Sequence, residues 1–363
     1  MSEHVLIIGA GVMGCASAHR LLEAGFKVTL LERALPGAES SAAAAGILGA
    51  QSEVAGPGPF QELCLASRAL YPAYAEALKQ LSGMDLGYSD AGVLEVAKDP
   101  GEGRIAVGRA EWMLDLGQRV EVLGPEETRK LEPALAEKIV GANYYPDDHA
   151  VDPVLLNRAL AAAVERLGGL FRVGDQVTGL AVENDRVTGV ETLTETIRAD
   201  HVVVAAGAWS SRLKGLPKLR TDIKPVAGQM IVADTRPPLF RHVVYGYDGY
   251  LAPRVDGRIL MGSTLEDRGF DKATTLEGLN RITGMAMELV PALASARFSQ
   301  SWSGLRPATG DNLPLLGAGP LDGLYFATGH YRNGILLTPI TGQVICDLVQ
   351  GRDPVIDIGM FAP

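Results

Sequence analysis

His4-Val5-Leu6-Ile7-Ile8 runs into Gly9-Ala10-Gly11-Val12-Met13-Gly14 with no polar residue between, and this stretch decides the fold. Residues 15–24 follow with Ala18, Leu21 and Leu22 at helical spacing and stop at Gly25. Lys27-Val28-Thr29-Leu30-Leu31 then reads as a second, parallel strand that ends at Glu32. Each glycine has a mechanical job: Gly9 permits the turn, Gly11 lets a pyrophosphate approach the backbone, and Gly14 lets the helix pack closely on the strand. The free N–H groups and positive dipole end of that helix hold phosphates. Glu32 stands 23 residues after Gly9, where a carboxylate can accept hydrogen bonds from ribose hydroxyls. A Gly-x-Gly-x-x-Gly alone is weak, but here strand, helix, second strand and acid arrive in register. The stretch predicts a dinucleotide site.

Outward from it, Ser40-Ser41-Ala42-Ala43-Ala44-Ala45-Gly46-Ile47 reads in two ways. It is either a small-residue helix packed on a neighbour or a loop whose short side chains let a flat ring or phosphate lie against the backbone. Residues 59–81 are patterned as an amphipathic helix and 92–96 as a strand. Gly101-Glu102-Gly103-Arg104-Ile105-Ala106 imitates a second fingerprint. Lys98-Asp99-Pro100 separates it from the strand, whereas a true fingerprint runs directly from strand into turn, so it is rejected. No second dinucleotide fold is then present to bring NAD(P)H. Asp152-Pro153 opens a helix to about residue 167, residues 177–191 alternate like a hairpin, and 201–207 is the continuous apolar run of a buried parallel strand. The chain therefore leaves the nucleotide sheet after Glu32 and returns near 170–207.

Residues 221–302 predict an antiparallel sheet, with a hairpin turn at Val255-Asp256-Gly257-Arg258 and a helix near 276–289. A second dense signal closes the chain. Trp302-Ser303-Gly304-Leu305-Arg306-Pro307 precedes a strand, 323–329, that enters His330-Tyr331-Arg332-Asn333-Gly334, and a last helix is expected from 335 to 349.

Composition bounds the function. The 363 residues include 47% hydrophobic and 21% charged, enough for a core and too patterned for disorder. A net charge of −10 favours neither a nucleic-acid backbone nor an acidic membrane surface. Cys15, Cys64 and Cys346 are far apart and lack metal-ligand spacing, so reduced thiols, no metal and a cytoplasmic location are expected. Every long apolar run is broken by charge, glycine or proline, and the first one belongs to the fingerprint rather than to a signal peptide.

Taken together these motifs resemble the D-amino acid oxidase family of FAD-dependent amine oxidoreductases, and within it the glycine oxidases of bacterial thiamine synthesis. The most specific pieces are residues 43–50, 201–210, 302–307 and 329–337. The resemblance implies an α/β fold of the D-amino acid oxidase/glutathione-reductase type. A Rossmann-like FAD-binding domain (1–85, 145–220 and 305–363) would be interleaved with an antiparallel-sheet α+β substrate domain (86–144 and 221–304). It implies that Val12, Met13, Glu32, Arg33, Ser40, Ser41, Ala45, Gly46 and Ile47 touch FAD alongside Gly9, Gly11, Gly14 and Gly207. The Val177 backbone would hold the adenine, and His330, Tyr331, Arg332, Asn333, Gly334, Ile335 and Leu336 would wrap the isoalloxazine. Arg306 would bind the substrate carboxylate, Tyr250 would hydrogen-bond to it, and the Arg332 carbonyl would orient the amine. Ile47 and Leu265 stand where the family often has methionine. No cysteine lies near Arg306, where sarcosine oxidases attach their flavin, so non-covalent FAD is expected.

Arg306 has a physical case of its own. A guanidinium fork matches a carboxylate, and Trp302 and Pro307 can form stiff walls around it; a surface ion pair is the competing reading. Tyr245, Tyr247 and Tyr250 could all be hairpin packing. Arg254 is a rival carboxylate binder, though a solvated strand end beside Asp256 is the simpler expectation. For His330 a structural role is expected rather than general base. Three activities fit: an oxidase that deaminates glycine, sarcosine and small D-amino acids with O2 and releases H2O2; a dehydrogenase passing electrons to a carrier or quinone; or an inert NAD- or FAD-binding module. The family also implies a homotetramer.

Overall fold

A computed structural model describes residues 3–363. The strand His4–Ile8 lies at the centre of a six-stranded sheet, flanked by Lys27–Glu32 on one side and His201–Val204 on the other, both parallel to it. Leu170–Val173 extends the sheet beyond Lys27–Glu32, and Leu324–Thr328 extends it beyond His201–Val204. Leu315–Ala318 adds an antiparallel edge. The chain thus leaves after Glu32 and returns at 170 and again at 201, as its pattern predicts.

Alternation along the first strand explains how the layers assemble. Val5 and Ile7 face a cluster containing the helices Val12–Glu23, Pro59–Ser82, Pro153–Arg166 and Thr338–Val349. Leu6 and Ile8 face a three-stranded antiparallel sheet, Val177–Glu183, Arg186–Thr192 and Thr196–Arg198. Burial on both faces is why this strand carries no exposed polar position.

A second, eight-stranded sheet is built from residues 93–145 and 223–309. It is antiparallel except where Val243–Gly246 runs parallel to Val93–Ala97, a departure from the purely antiparallel expectation. The helix Leu276–Leu289 covers one face, packing on Ile231, Ile259 and Met261. The other face presents Met230, Tyr250 and Leu260 toward Ala45 and Ile47, at the junction of the two sheets.

The rejected glycine motif lies inside the helix Pro100–Asp115, whose first turn is capped by Asp99 accepting from Gly101 and Glu102 N–H groups. The last helix begins at Thr338, three residues later than expected. Its second residue is Pro339, suited to a first turn, and residues 330–337 form turns instead.

Candidate active site

The glycine turn opens onto a cavity of about 460 Å³. Gly9 has φ of +103°, and a Cβ there would meet the Ala205 carbonyl oxygen at 2.7 Å. Gly11 lies under Ser41, whose hydroxyl would be 2.9 Å from an added Cβ. Gly14 does not line the cavity; it lets the helix seat against the Gly9 carbonyl, in keeping with its expected packing job. Ser41 Oγ accepts the Val12 N–H at 3.1 Å, and the neighbouring Ser40 hydroxyl donates to the Leu305 carbonyl at 2.5 Å. The alanine-rich stretch is therefore a short helix, Ser40–Ala43, and also part of the cavity wall. Glu32 accepts the Ala10 and Ala34 N–H groups, each at 2.9 Å, so the acid at the strand tip also braces the turn. Arg33 pairs with Glu39 at 2.6 Å and stacks 3.9 Å over the Trp209 ring.

Val12, Met13, Val177 and Gly207 line the same space, and so do His330, Tyr331, Arg332, Gly334 and Ile335 from the closing segment. Sequence regions more than 300 residues apart thus meet across one elongated cavity. Its walls fit a dinucleotide: a helix N-terminus, a cradle that only glycine leaves open, and a carboxylate at the strand tip. His330 adds a buried Nδ1 with no partner among the described residues, while its Nε2 pairs with Thr341 Oγ1 at 3.0 Å. Burial lowers the His330 pKa to about 3, so this ring is neutral and is no proton carrier at ordinary pH. Asn333 and Leu336 are buried behind the wall rather than in it.

A smaller cavity of about 80 Å³ adjoins the first and shares Ser40, Ala44, Tyr331, Arg332 and Ile335 with it. Ala45, Gly46 and Ile47 line this one. Arg306 and Tyr250, proposed from sequence as carboxylate binders, both face it. Arg306 comes from the strand Arg297–Thr309 and is half-buried; it donates to Ser263 Oγ at 2.5 Å and to the Thr264 carbonyl at 3.3 Å. Gly228 on the neighbouring strand lies directly beneath the guanidinium, where any Cβ would collide with it. Among the described residues Tyr250 OH donates to Met230 Sδ alone, at 3.3 Å, a weak acceptor. Tyr331 sits at φ of +46°, a left-handed conformation unusual for a tyrosine, with its N–H on the Pro307 carbonyl at 3.1 Å.

The side chain of Arg332 was not anticipated. It donates to Tyr245 OH at 2.7 Å and lies 3.6 Å from Glu53, which in turn accepts the Tyr245 hydroxyl at 2.7 Å. Tyr245 and Glu53 hold the Arg332 pKa above its usual value. Arg254 requires a correction. It is 7% exposed, donates to the Ala45 carbonyl at 2.5 Å and lies 3.7 Å from Asp152, so it is neither a solvated strand end nor Asp256's partner. The residue before the hairpin turn points inward, and the turn signal carries no information about that.

None of the three cysteines lines either cavity; all are buried. Among the described residues no cluster of side chains could hold a metal, and no helix is long and apolar enough to cross a membrane.

The profile of the family described as DAO, FAD dependent oxidoreductase, matches residues 4–348. The chain belongs to that family. This FAD-dependent oxidoreductase is 36% identical to the glycine oxidase of Geobacillus kaustophilus (strain HTA426) over 99% of its own length and 96% of that protein's. It is 38% identical to the bifunctional protein ThiO/ThiG of Synechocystis sp. (strain ATCC 27184 / PCC 6803 / Kazusa), spanning 54% of that longer chain. The crystal structure of the Geobacillus kaustophilus glycine oxidase superposes with a TM-score of 0.95 at 35% identity, covering 99% of this chain and 98% of that one. The iminodiacetate oxidase of Chelativorans sp. BNC1 gives 0.91 at 27%, with 99% and 98% covered. The expected fold class is borne out. FAD is the cofactor that the larger cavity fits.

Proposed function

We propose that this FAD-dependent oxidoreductase oxidises glycine and other small amino or N-methylamino acids, sarcosine and small D-amino acids among them, using O2 and releasing H2O2. The observation that carries the reading is the small cavity, with a guanidinium at one end and a wall shared with the cofactor cavity at the other. Its volume of about 80 Å³ favours a substrate with little or no side chain. When bound, FAD supplies the acceptor for the hydride that leaves the substrate Cα, which becomes an imino acid and then, with water, an oxo acid and ammonia or amine.

The chain's own residues supply position. Arg306 offers its free N–H groups to the carboxylate and Tyr250 a hydroxyl, while the Tyr331–Arg332 backbone borders both cavities and orients the amine. Fixing both ends of a small zwitterion in this way removes much of the entropic part of the barrier. We assign FAD contacts to the residues placed in the larger cavity, with Ala45, Gly46 and Ile47 reaching it from the smaller one. The six-stranded sheet supports a discontinuous FAD-binding unit (1–85, 145–220 and 305–363), and the eight-stranded sheet a substrate unit (86–144 and 221–304). The strand Arg297–Thr309 crosses that boundary. We further assign a cytoplasmic homotetramer with a small amino acid and O2 as its partners and no nucleic acid or membrane; its elution volume tests the assembly. The names of the relatives support a place in thiamine biosynthesis.

The test is anaerobic mixing of the yellow holoenzyme with glycine, sarcosine, D-alanine and D-proline. Loss of the oxidised-flavin band with at least one of them is expected, followed by stoichiometric H2O2 when air is admitted. Slow reoxidation in air would replace the oxidase with a dehydrogenase serving a quinone or carrier. A flavin that none of the four bleaches would overturn the substrate class.

A further inference from the structure

We propose that Glu53 takes the proton from the substrate's ammonium group, so that the amine is oxidised as the neutral base. The inference rests on the reading of the chain as an amino acid oxidase. An α-amino acid binds mostly as a zwitterion, yet only a nitrogen lone pair can form the C=N bond as the α-hydrogen leaves with its electrons. Something beside the bound amine has to accept that proton.

Glu53 lines the small cavity together with Arg306 and Tyr250, and its side chain is 7% exposed. A buried carboxylate is costly to maintain, and the chain fixes this one with considerable apparatus. Asp148, fully buried, accepts the Ser52 N–H and hydroxyl, each at 2.8 Å, and the Gln51 N–H at 3.1 Å. Arg68 clamps Asp148 at 2.8 Å and Gln51 Oε1 at 2.7 Å. Arg109, itself paired with Glu95 at 2.8 Å, donates to the carbonyls of Ser52 at 2.8 Å and of Gln51 and Val54 at 3.2 Å. Two ion pairs thus hold the backbone on either side of one residue, the acid that faces the cavity.

The groups around that acid suit a proton acceptor. Burial raises the Glu53 pKa above the ordinary carboxylate range; the Arg332 charge, the Tyr245 hydrogen bond and the Arg306 charge oppose the rise, and Asp148 adds to it. Tyr250 lines the same cavity, and Cys64, on the helix Pro59–Ser82, is a further titratable neighbour whose pKa burial raises, so it stays a thiol. In the transfer an ammonium N–H bond breaks and a carboxyl O–H bond forms on Glu53. As the α-hydrogen leaves as hydride, for which bound FAD would be the acceptor, the pair left on nitrogen becomes the π bond of the iminium, and Glu53 needs to take up only the one proton. Arg332, 3.6 Å away, favours the ionised form of the carboxylate and so opposes the rise that burial causes.

The test compares holoenzyme of the parent, Glu53→Gln and Tyr245→Phe, with flavin absorbance confirming that each is loaded. In the parent the proton moves within the complex, so the anaerobic reduction rate at saturation should be flat between the pKa of Glu53 and that of the bound amine. In Glu53→Gln it should fall roughly tenfold per pH unit below the amine's pKa. The spectral Kd of 2-methylalanine, which has no α-hydrogen and cannot react, should likewise be flat in the parent and weaken with falling pH in Glu53→Gln. Tyr245→Phe removes a hydrogen bond that lowers the Glu53 pKa, so the acid limb should move to higher pH with the plateau retained. Glu53→Gln profiles that are merely scaled copies of the parent's would overturn the proposal and leave Glu53 a counter-ion of Arg332. A Tyr245→Phe limb that stays in place would count against it equally. A parent that bleaches normally shows such a failure to be specific to Glu53, whereas a parent that no amine bleaches overturns both readings.

Discussion

Arg306→Ala is the perturbation that bears most directly on the small cavity. Of the five N–H donors on a guanidinium, one is committed to Ser263 Oγ and one to the Thr264 carbonyl, leaving the rest of the fork for a carboxylate. Truncation removes those charge-assisted bonds and leaves the substrate carboxylate desolvated without its opposite charge. That is the situation of a broken buried charge pair, costing ~2–5 kcal/mol, or roughly 30-fold to several-thousand-fold in Kd. Arg306→Lys keeps the charge and loses the fork, so an intermediate loss is expected. Gly228→Ala is an independent route to the same effect, because its methyl group would push the guanidinium out of place without removing it. Arg306 does not line the larger cavity, so all three variants should remain yellow. The assay is anaerobic titration with glycine, following flavin reduction to saturation. An Arg306→Ala enzyme that saturates at the parent's concentration, with its flavin intact, would remove this residue from substrate binding.

Three further outcomes follow from the geometry. Gly14→Ala would place a methyl group against the Gly9 carbonyl, so the helix should shift, FAD should be lost on purification, and stability should fall by ~1–3 kcal/mol; a variant retaining full flavin absorbance counts against the packing role. Asp148→Ala would leave the part-buried Arg68 with Gln51 but without its carboxylate, and two backbone N–H groups unpaired, which should cost ~3–5 kcal/mol in urea unfolding of the apoprotein. For His330 the folded pKa is about 3 and the unfolded about 6.5, so the unfolded chain binds the extra proton between those values. Stability should therefore be complete above about pH 6.5 and decline as pH falls toward 3. His330→Gln should flatten that part of the apoprotein's urea midpoint against pH, and an unchanged slope would show that the histidine is not responsible.

What was legible in the sequence and what was not divides along contact range. The fingerprint could be read because turn, helix start and strand tip are fixed within about 30 residues by local backbone rules. The helix 276–289 could be read because its buried positions Ile282, Met285, Ala286 and Leu289 follow one face. Glu53 could not: it sits in Gln51-Ser52-Glu53-Val54, which has no periodicity and no motif, and its place is decided by Asp148 and Arg109, 95 and 56 residues away in sequence. Ser263, Met230 and Gly228 enter the small cavity through strand pairing across a whole sheet, which no local pattern encodes. The last helix starts three residues later than its pattern predicts because Ile335-Leu336-Leu337 is apolar like the helix after it. That run instead supplies carbonyls to others: Tyr71 OH donates to Ile335 and Ser67 Oγ to Leu336, at 2.6 Å for the latter.

Those two bonds bear on why the closing segment sits where it does. Tyr331, Arg332 and Ile335 border both cavities, so under the proposed function their position would set how substrate and cofactor face one another. From one side the Ile335 and Leu336 carbonyls are held by the long helix Pro59–Ser82. From the other the Tyr331 N–H is held by the carbonyl of Pro307, the residue after Arg306. Arg306 and the turn beside the larger cavity are therefore adjacent links of one bonded structure, and Tyr331 holds its left-handed backbone within it. With His330 not titrating near neutrality, positioning and the proton transfer proposed for Glu53 are the contributions to test in these residues.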